Sequence, residues 1–187
     1  MKYDPNIHHR RSIRLKEYDY SQNGAYFVTI CTHGRLLYFE EYLELKQIVN
    51  KQWQEIPNRF NNVELDEFVI MPNHIHGILF IVGATLAVAP APDKEKRAGA
   101  RPAPTIGDII GAFKSLCIHD WLKHIKEHNI NAIGKFWQRN YHEHIIRNEA
   151  EMNKIREYIC NNPLIWDLDQ ENQKIKNNTS ENVDIIL

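Results

Sequence analysis

Cysteine is scarce in this sequence, and the motifs that use it in pairs are missing. The three cysteines, Cys31, Cys117 and Cys160, are widely separated, and no two of them form a Cys-x-x-Cys pair. Their spacing therefore predicts neither a disulfide framework nor a thiolate zinc site. We expect all three to be small residues of the hydrophobic core.

Long hydrophobic runs and a phosphate-binding loop are also missing. No stretch is long and apolar enough to span a bilayer, and the first residues, MKYDPNIHHRRSIRLK, lack the apolar region of a signal peptide. We therefore expect a cytoplasmic protein with no membrane partner. The pattern G-x-x-x-x-G-K-S/T does not occur, which argues against a P-loop nucleotide-binding site.

Neither sign of charge dominates the chain of 187 residues, which has 23 basic and 24 acidic side chains. The balance changes along the sequence, because residues 164–187 carry five acidic and two basic side chains. We interpret this segment as an acidic, polar tail. Residues 1–163 then have the length and composition of a single globular domain.

Hydrophobic periodicity predicts four strands and three helices in the order β-α-β-β-α-β-α. The strands are predicted at 24–32, 63–72, 74–82 and 142–147, and the helices at 41–56, 105–128 and 148–162. This order is that of the ferredoxin-like split βαβ sandwich, an α+β fold with an antiparallel sheet and helices on one face, here extended by a C-terminal helix. Residues 83–104 are rich in Ala, Pro and Gly, which predicts a flexible insertion.

Prolines and capping residues predict where the helices begin and end. Pro57 should end the first helix, and Pro163 should end the last helix near Asn162. Capping boxes are predicted at Thr105/Asp108 and at Asn148/Glu151. Pro163 should also bias Asn162 away from helical backbone angles.

Two histidines stand at the head of an apolar run, MPNHIHGILFIV. Successive side chains of a strand alternate between faces, so His74 and His76 point to the same side. Two imidazoles on one face can share a divalent ion, or they can be core residues whose nitrogens are satisfied by hydrogen bonds. The spacing alone does not decide between these, because His142 and His144 repeat it.

The last predicted helix places a tyrosine and an asparagine near its apolar stripe. Tyr158 and Asn162 are four residues apart and fall at the edge of the face that carries Met152, Ile155 and Ile159. Tyr158 is either an ordinary tyrosine at the edge of the core, with its hydroxyl in water, or a hydroxyl held beside a metal. In the second case the side-chain oxygen of Asn162 would complete the metal site.

Three blocks of the sequence resemble the REP-associated tyrosine transposases, one-tyrosine members of the HUH single-strand nuclease superfamily. The blocks are RRSIRLKEYDYSQNGAYFVTICT, MPNHIHGILFI and FWQRNYHEHIIRNEAEMNKIREYICNNP, which together cover most of residues 10–163. The resemblance implies Tyr158 as the nucleophile, His74, His76 and Asn162 as metal ligands, and Mg²⁺ or Mn²⁺ as the cofactor. The insertion and the acidic tail depart from the family pattern.

The function implied by this resemblance is metal-dependent cleavage and joining of single-stranded DNA. The substrate would be a palindromic DNA hairpin with a short single-stranded flank, and attack by Tyr158 would give a 5′-phosphotyrosine intermediate. Two other functions stay open at this point: a non-catalytic hairpin-binding protein of the same fold, and an RNA-binding ferredoxin-like module. The sequence also leaves the oligomeric state open, with a homodimer among the options.

Basic and aromatic residues suggest where DNA would bind. Arg10, Arg11, Arg14 and Lys16 could hold phosphates, and Tyr18 and Tyr20 could stack on unpaired bases. Lys114, expected to be exposed beside a helix face, and Arg147 also match basic positions of the family pattern. Trp137, Gln138 and His144 match the pattern too, but we interpret Trp137 as a packing residue and assign no catalytic role to His144.

Overall fold

The computed structural model describes residues 23–82, 104–168 and 172. Six of the predicted DNA-binding residues lie outside the described residues: Arg10, Arg11, Arg14, Lys16, Tyr18 and Tyr20. The predicted insertion, apart from its last residue, also lies outside them, as does most of the predicted tail. No helix in the described ranges is long and apolar enough to cross a membrane.

The described chain forms four strands and five α-helical segments. The strands are β1 (Gly24–Cys31), β2 (Val63–Met71), β3 (His74–Ile81) and β4 (His142–Ile146), and the helices are α1 (Tyr38–Glu41), α2 (Leu43–Gln54), α3 (Ile56–Arg59), α4 (Ile106–Glu127) and α5 (Glu149–Asn161). Two short 3-10 segments follow β1 and α5, at His33–Arg35 and Asn162–Leu168. The predicted order of strands and longer helices is therefore confirmed.

The four strands form one antiparallel sheet in the order β2-β3-β1-β4. The first and third strands lie at the centre, and the second and fourth lie at the edges. This order confirms the ferredoxin-like α+β fold that the sequence predicts. It places His76 directly opposite Thr29 of the neighbouring strand.

The sheet is covered on both faces. Helices α2 and α4 pack on one face over the larger core, to which β1 contributes Tyr26, Val28 and Ile30. Helix α5 packs on the other face, where Met152 and Ile159 belong to a smaller cluster of buried residues. Because neighbouring residues of β3 alternate, His74 and His76 share the α5 face with Ile78.

Gly77 fixes the distance between β3 and α2. The indole of Trp53 packs so closely on this residue that a Cβ atom would lie 2.4 Å from Cζ2 of the ring. Trp53 is fully buried and stacks on Phe68 with ring centroids 4.6 Å apart. A glycine between the strand residues His76 and Ile78 therefore lets the strand approach the helix on the core side.

The ends of two helices differ from the sequence predictions. Helix α2 ends at Gln54, and Pro57 does not stop it but lies in the first turn of α3, where a missing N–H is tolerated. The capping box of Thr105 and Asp108 at the start of α4 is confirmed. At the start of α5 only half of the predicted box forms. Asn148 Oδ1 accepts a hydrogen bond from the Glu151 amide at 2.9 Å, whereas the Glu151 carboxylate accepts from the Arg147 amide at 2.8 Å.

Residues Asn162–Leu168 continue from the last helix as a 3-10 segment. The α-helix ends at Asn161, as predicted, but Asn162 keeps helical angles (φ −54°, ψ −43°), so the expected bias away from them is not realised. The 3-10 segment that follows carries Trp166 to His74, with ring centroids 6.0 Å apart. Residues 164–168, predicted as the start of the tail, thus continue the domain.

The cysteines have three different environments. Cys117 is buried in the core, as predicted, with its thiol pKa raised mainly by burial. Cys31 is half-buried and Cys160 is exposed, so the prediction of core positions is wrong for Cys160.

Candidate active site

The two histidines of β3 meet on the α5 face of the sheet. His74 is 1% exposed and His76 is 4% exposed. Their Nε2 atoms lie 2.9 Å apart, so both rings direct the same nitrogen to one point. This convergence is a consequence of the His-x-His spacing on a strand.

The other nitrogen of each ring has a polar partner. The Nδ1 atom of His74 lies 2.7 Å from Oδ1 of Asn73, and Asn73 Nδ2 donates to the Arg35 carbonyl at 3.2 Å. Because Oδ1 can only accept, His74 Nδ1 carries the proton and its Nε2 keeps a lone pair. The Nδ1 atom of His76 lies 2.8 Å from the hydroxyl of Thr29, which can either donate or accept.

The environment keeps His74 uncharged at neutral pH. Burial lowers the pKa of His74 to about 4, and the positive charge of Arg35 acts in the same direction. A neutral imidazole is the form that binds a metal ion, and an acceptor on the second ring nitrogen is the usual way of orienting it.

Tyr158 of α5 reaches this pair from the opposite side of the cleft. Its Oη atom lies 3.3 Å from His76 Nε2, and 43% of the residue is exposed. Phe27 supports both rings, stacking on His76 at 5.2 Å and meeting Tyr158 edge-on at 6.2 Å between centroids. One chain therefore supplies both the histidine pair and a partly exposed tyrosine whose hydroxyl lies beside it.

An ion pair holds the tyrosine helix on the sheet. Arg156 Nε lies 3.0 and 3.2 Å from the two carboxylate oxygens of Asp66 on β2, and Nη2 also donates to this carboxylate. The hydrogen bonds from Arg156 are the main reason that the pKa of Asp66 lies below its usual range. Arg156 lies two residues from Tyr158, so the pair connects the helix that carries the tyrosine to β2.

Asn162 is buried at the end of α5 with both polar atoms unsatisfied. It has no exposed surface, and neither Oδ1 nor Nδ2 finds a hydrogen-bond partner among the described residues. An unpartnered buried amide is unfavourable by about 1–3 kcal/mol. Such a group is unusual without a ligand to satisfy it, and Asn162 begins the segment that carries Trp166 to His74.

These residues fit a divalent metal ion. Two nitrogens bound at ~2.1 Å and at right angles to each other would be about 3.0 Å apart, close to the 2.9 Å between the two Nε2 atoms. Within the described ranges, no group of three or more His, Cys, Asp or Glu side chains could hold a metal. A third ligand from the described residues would thus be an oxygen of another type, such as that of a side-chain amide.

A cleft of about 410 Å³ opens over the histidines and the tyrosine. It is lined by Thr29, Cys31, Arg35, His74, His76, Gln138, Asn140, Tyr141, His142 and Tyr158. Sequence reasoning missed the parts played by Thr29, Arg35 and Asn73. The position of Asn73 directly before His74 is a signal that could have been used, whereas Thr29 and Arg35 become neighbours of the site only through strand pairing and a turn.

Lys114, a predicted DNA-binding residue, does not lie fully exposed on the surface. Lys114 is half-buried rather than exposed, and its ammonium donates to the carbonyl oxygens of Gln138 (2.6 Å) and Arg139 (3.0 Å). Burial lowers the pKa of Lys114 to about 8. Its role in the structure is to hold the wall of the cleft, and a DNA contact stays a prediction.

Three further residues that match the family pattern lie on β4 or close to it in the sequence: Trp137, His144 and Arg147. Trp137 is buried and packs on Phe39 and Phe136, as interpreted from the sequence. His144 lies 2.7 Å from the Glu151 carboxylate and is not among the described residues that line the cleft. Arg147 is exposed at the end of β4, where a DNA contact is sterically open.

Known proteins similar to this chain include two solved structures. One is a REP-associated tyrosine transposase bound to a REP hairpin, with 20% identity and a TM-score of 0.48, covering 82% of this chain and 73% of that one. The other is a provisionally assigned transposase from Deinococcus radiodurans, with 21% identity and a TM-score of 0.42, covering 80% and 97%. Both superpositions are loose, so the functional assignment rests on the residues of the site.

A sequence relative is much closer to this chain. No protein-family model matches. A protein of Haemophilus influenzae strain Rd, described as uncharacterized, is 42% identical over 180 residues, which cover 90% of this chain and 96% of that protein. Since this identity extends over almost the whole of both proteins, the chain belongs to the same protein family as the Haemophilus influenzae protein.

Proposed function

We propose that this protein is a metal-dependent endonuclease and strand transferase that acts on hairpin-forming single-stranded DNA. One observation carries the proposal: the hydroxyl of Tyr158 lies 3.3 Å from His76 Nε2, at the point where the two imidazoles converge. A tyrosine hydroxyl beside two candidate metal ligands is suited to phosphoryl transfer, because the hydroxyl can attack a phosphate that the metal polarises. The sequence blocks that resemble the tyrosine transposases contain all of these residues.

In the proposed reaction Tyr158 Oη forms a bond to the phosphorus of one phosphodiester. The bond between that phosphorus and the 3′ oxygen breaks, and the departing oxygen takes up a proton to become a 3′-hydroxyl. The tyrosine proton passes to water in the open cleft. The product is a 5′-phosphotyrosyl link, and attack on it by a 3′-hydroxyl reverses the reaction and joins strands without ATP.

The residues around Tyr158 would bind and orient the reacting groups. His74, His76 and the Asn162 amide oxygen would hold Mg²⁺ or Mn²⁺, which when bound polarises the scissile phosphate. Two imidazole ligands favour Mn²⁺ over Mg²⁺. Asn73 and Thr29 would keep both ligand rings in the orientation seen here.

The covered sheet favours this function over an RNA-binding module. Ferredoxin-like RNA-binding domains stack bases on aromatic side chains of an open sheet face. Here helix α5 packs on the face that is opposite to α2 and α4, and Phe27 on that face contacts His76 and Tyr158. The described part of this face therefore offers a cleft over the histidines rather than an open sheet with exposed aromatic side chains.

The proposal is tested by trapping the covalent intermediate. The full chain is incubated with Mn²⁺ and a pool of labelled DNA hairpins that carry randomised single-stranded flanks, and a denaturing gel then separates covalent adducts. We expect an adduct with the parent chain and with Tyr141→Phe, and none with Tyr158→Phe. Tyr141 is the matched control because it also lines the cleft. An adduct that persists in Tyr158→Phe would contradict the proposed nucleophile.

A further inference from the structure

The described lining of the cleft has a positive charge and no negative one. Among the described residues that line it, Arg35 is the only one with a permanent charge, and none is acidic. The others are histidines, amides, hydroxyl-bearing and aromatic side chains, and one cysteine. A half-buried guanidinium in a cleft whose described lining has no carboxylate favours an anionic ligand.

The backbone holds Arg35 in an unusual conformation. Gly34 (φ 62°) and Arg35 (φ 55°) are consecutive left-handed residues, a conformation that is uncommon for arginine. The turn is closed by hydrogen bonds from the Arg35 amide to the Thr32 carbonyl at 3.0 Å and from Thr32 Oγ1 to the Leu36 carbonyl at 2.7 Å. The surrounding contacts therefore maintain a conformation that the residue itself disfavours.

A single side chain connects this turn to the histidine pair. Asn73 donates from Nδ2 to the Arg35 carbonyl at 3.2 Å, and its Oδ1 accepts from His74 Nδ1 at 2.7 Å. The Asn73 carbonyl also accepts from the amide of Thr32 at 2.9 Å, at the start of the same turn. The position of Arg35 is thus tied to that of the ring at the centre of the site.

We propose that Arg35 binds the phosphate at which Tyr158 attacks. This inference rests on the proposed function and adds a substrate-binding residue to it. A guanidinium can pair with two non-bridging oxygens of one phosphate, and its hydrogen bonds strengthen as negative charge builds up on those oxygens during attack. Arg35 therefore both orients the strand in the cleft and stabilises the transition state.

The test compares variants that separate charge from backbone strain. Arg35→Asn removes the charge and keeps a residue that tolerates the left-handed region, and Arg35→Gly removes the charge and relieves the strain. Arg35→Lys keeps the charge without the planar fork. Lys123→Gln is the matched control, because Lys123 is an exposed cation on α4, on the other side of the sheet.

All variants are first measured for binding in a Tyr158→Phe background. The probe is a fluorescein-labelled pool of random 12-nucleotide single-stranded DNA, and anisotropy gives the affinity at several salt concentrations in the presence of Mn²⁺. We expect Arg35→Asn and Arg35→Gly to bind more weakly and to lower the slope of log affinity against log salt by about 0.7, the value of one phosphate contact. Arg35→Lys should keep the slope, and Lys123→Gln should change neither quantity.

Cleavage then distinguishes phosphate binding from a structural role. With Tyr158 present, Arg35→Asn should lower the single-turnover rate at saturating DNA about 10²-fold or more, and Arg35→Lys should restore it only in part. A salt slope and rate equal to those of the parent would overturn the inference and leave the proposed function intact. If the parent bound neither this pool nor the labelled hairpins with randomised flanks, both the inference and the proposed function would be overturned. The measurement on the parent alone shows this outcome.

Discussion

The hydroxyl of Tyr158 and Nε2 of His76 lie 3.3 Å apart although 82 positions separate them in the sequence. The contact depends on β3, which presents His76 on the α5 face, and on α5, which packs across that face through Met152 and Ile159. Strand alternation, helix packing and the Arg156–Asp66 ion pair therefore combine to place the Tyr158 hydroxyl beside two imidazoles.

The histidine pair should be a metal site rather than part of the folding core. In His74→Ala/His76→Ala we expect loss of Mn²⁺ binding, measured from the free-ion electron paramagnetic resonance signal, with a melting temperature within a few degrees of the parent. The matched control is His142→Ala/His144→Ala, which removes the same His-x-His spacing from β4 and should keep Mn²⁺ affinity. If the melting temperature of His74→Ala/His76→Ala lies far below that of the parent, with both measured in metal-free buffer, the pair has a structural role instead.

Asn162 should matter for metal affinity and little for stability. Its two polar atoms have no hydrogen-bond partner among the described residues, so Asn162→Ala removes an amide that contributes no hydrogen bond to folding. We expect the Mn²⁺ dissociation constant to rise at least about tenfold, and Asn162→Asp to recover most of the affinity with another oxygen ligand. An unchanged constant in Asn162→Ala would remove this residue from the site.

The Arg156–Asp66 pair should contribute stability that depends on pH. Because the pKa of Asp66 is lowered in the folded state from the usual 3.8, the pair stabilises the fold above that value. The contribution is lost as the pH falls through the lowered pKa. Arg156→Ala should unfold at a slightly lower urea concentration than the parent at pH 7, and the effect should be small because both partners are partly exposed.

The same variant also tests positioning of the tyrosine. At a pH below the folded pKa of Asp66, the parent and Arg156→Ala should unfold at the same urea concentration. At pH 7 the variant should also cleave more slowly in a single turnover, because α5 is less firmly held. Equal stability of the two proteins at pH 7 would show that the pair contributes nothing measurable.

Two glycine substitutions should have opposite effects on stability. Gly77→Ala would place a methyl group 2.4 Å from the Trp53 ring, so we expect a loss of about 1–3 kcal/mol from overpacking. At Gly111, inside α4, no described atom outside the adjoining helix backbone lies within 4 Å of the new methyl group, so Gly111→Ala should gain about 0.5–1 kcal/mol of stability. Chemical denaturation measures both, and a neutral Gly77→Ala would mean that Trp53 moves freely.

Local patterns in the sequence predict the elements well but not every partner within the site. The Thr105 cap and the shared face of His74 and His76 follow from residues close together in the chain. Thr29 lies 47 positions from His76, so its contact requires the strand register, which no local pattern gives.

Other errors arise where tertiary contacts override a local rule. Pro57 lies in the first turn of a new helix instead of ending one, and Asn162 remains helical before Pro163 because the chain continues into a 3-10 segment. Lys114 was expected on the surface, but carbonyl oxygens of residues 138 and 139 draw its ammonium inward.

Mass spectrometry of the trapped protein–DNA adduct tests the central claim most directly. After nuclease and trypsin digestion, the residual nucleotide should be found on the peptide of residues 157–174, which contains Tyr158, linked through a 5′ phosphate. The peptide of residues 140–147, which contains Tyr141, should be unmodified. A nucleotide on Tyr141 or on any other residue, with Tyr158 unmodified, would contradict the account.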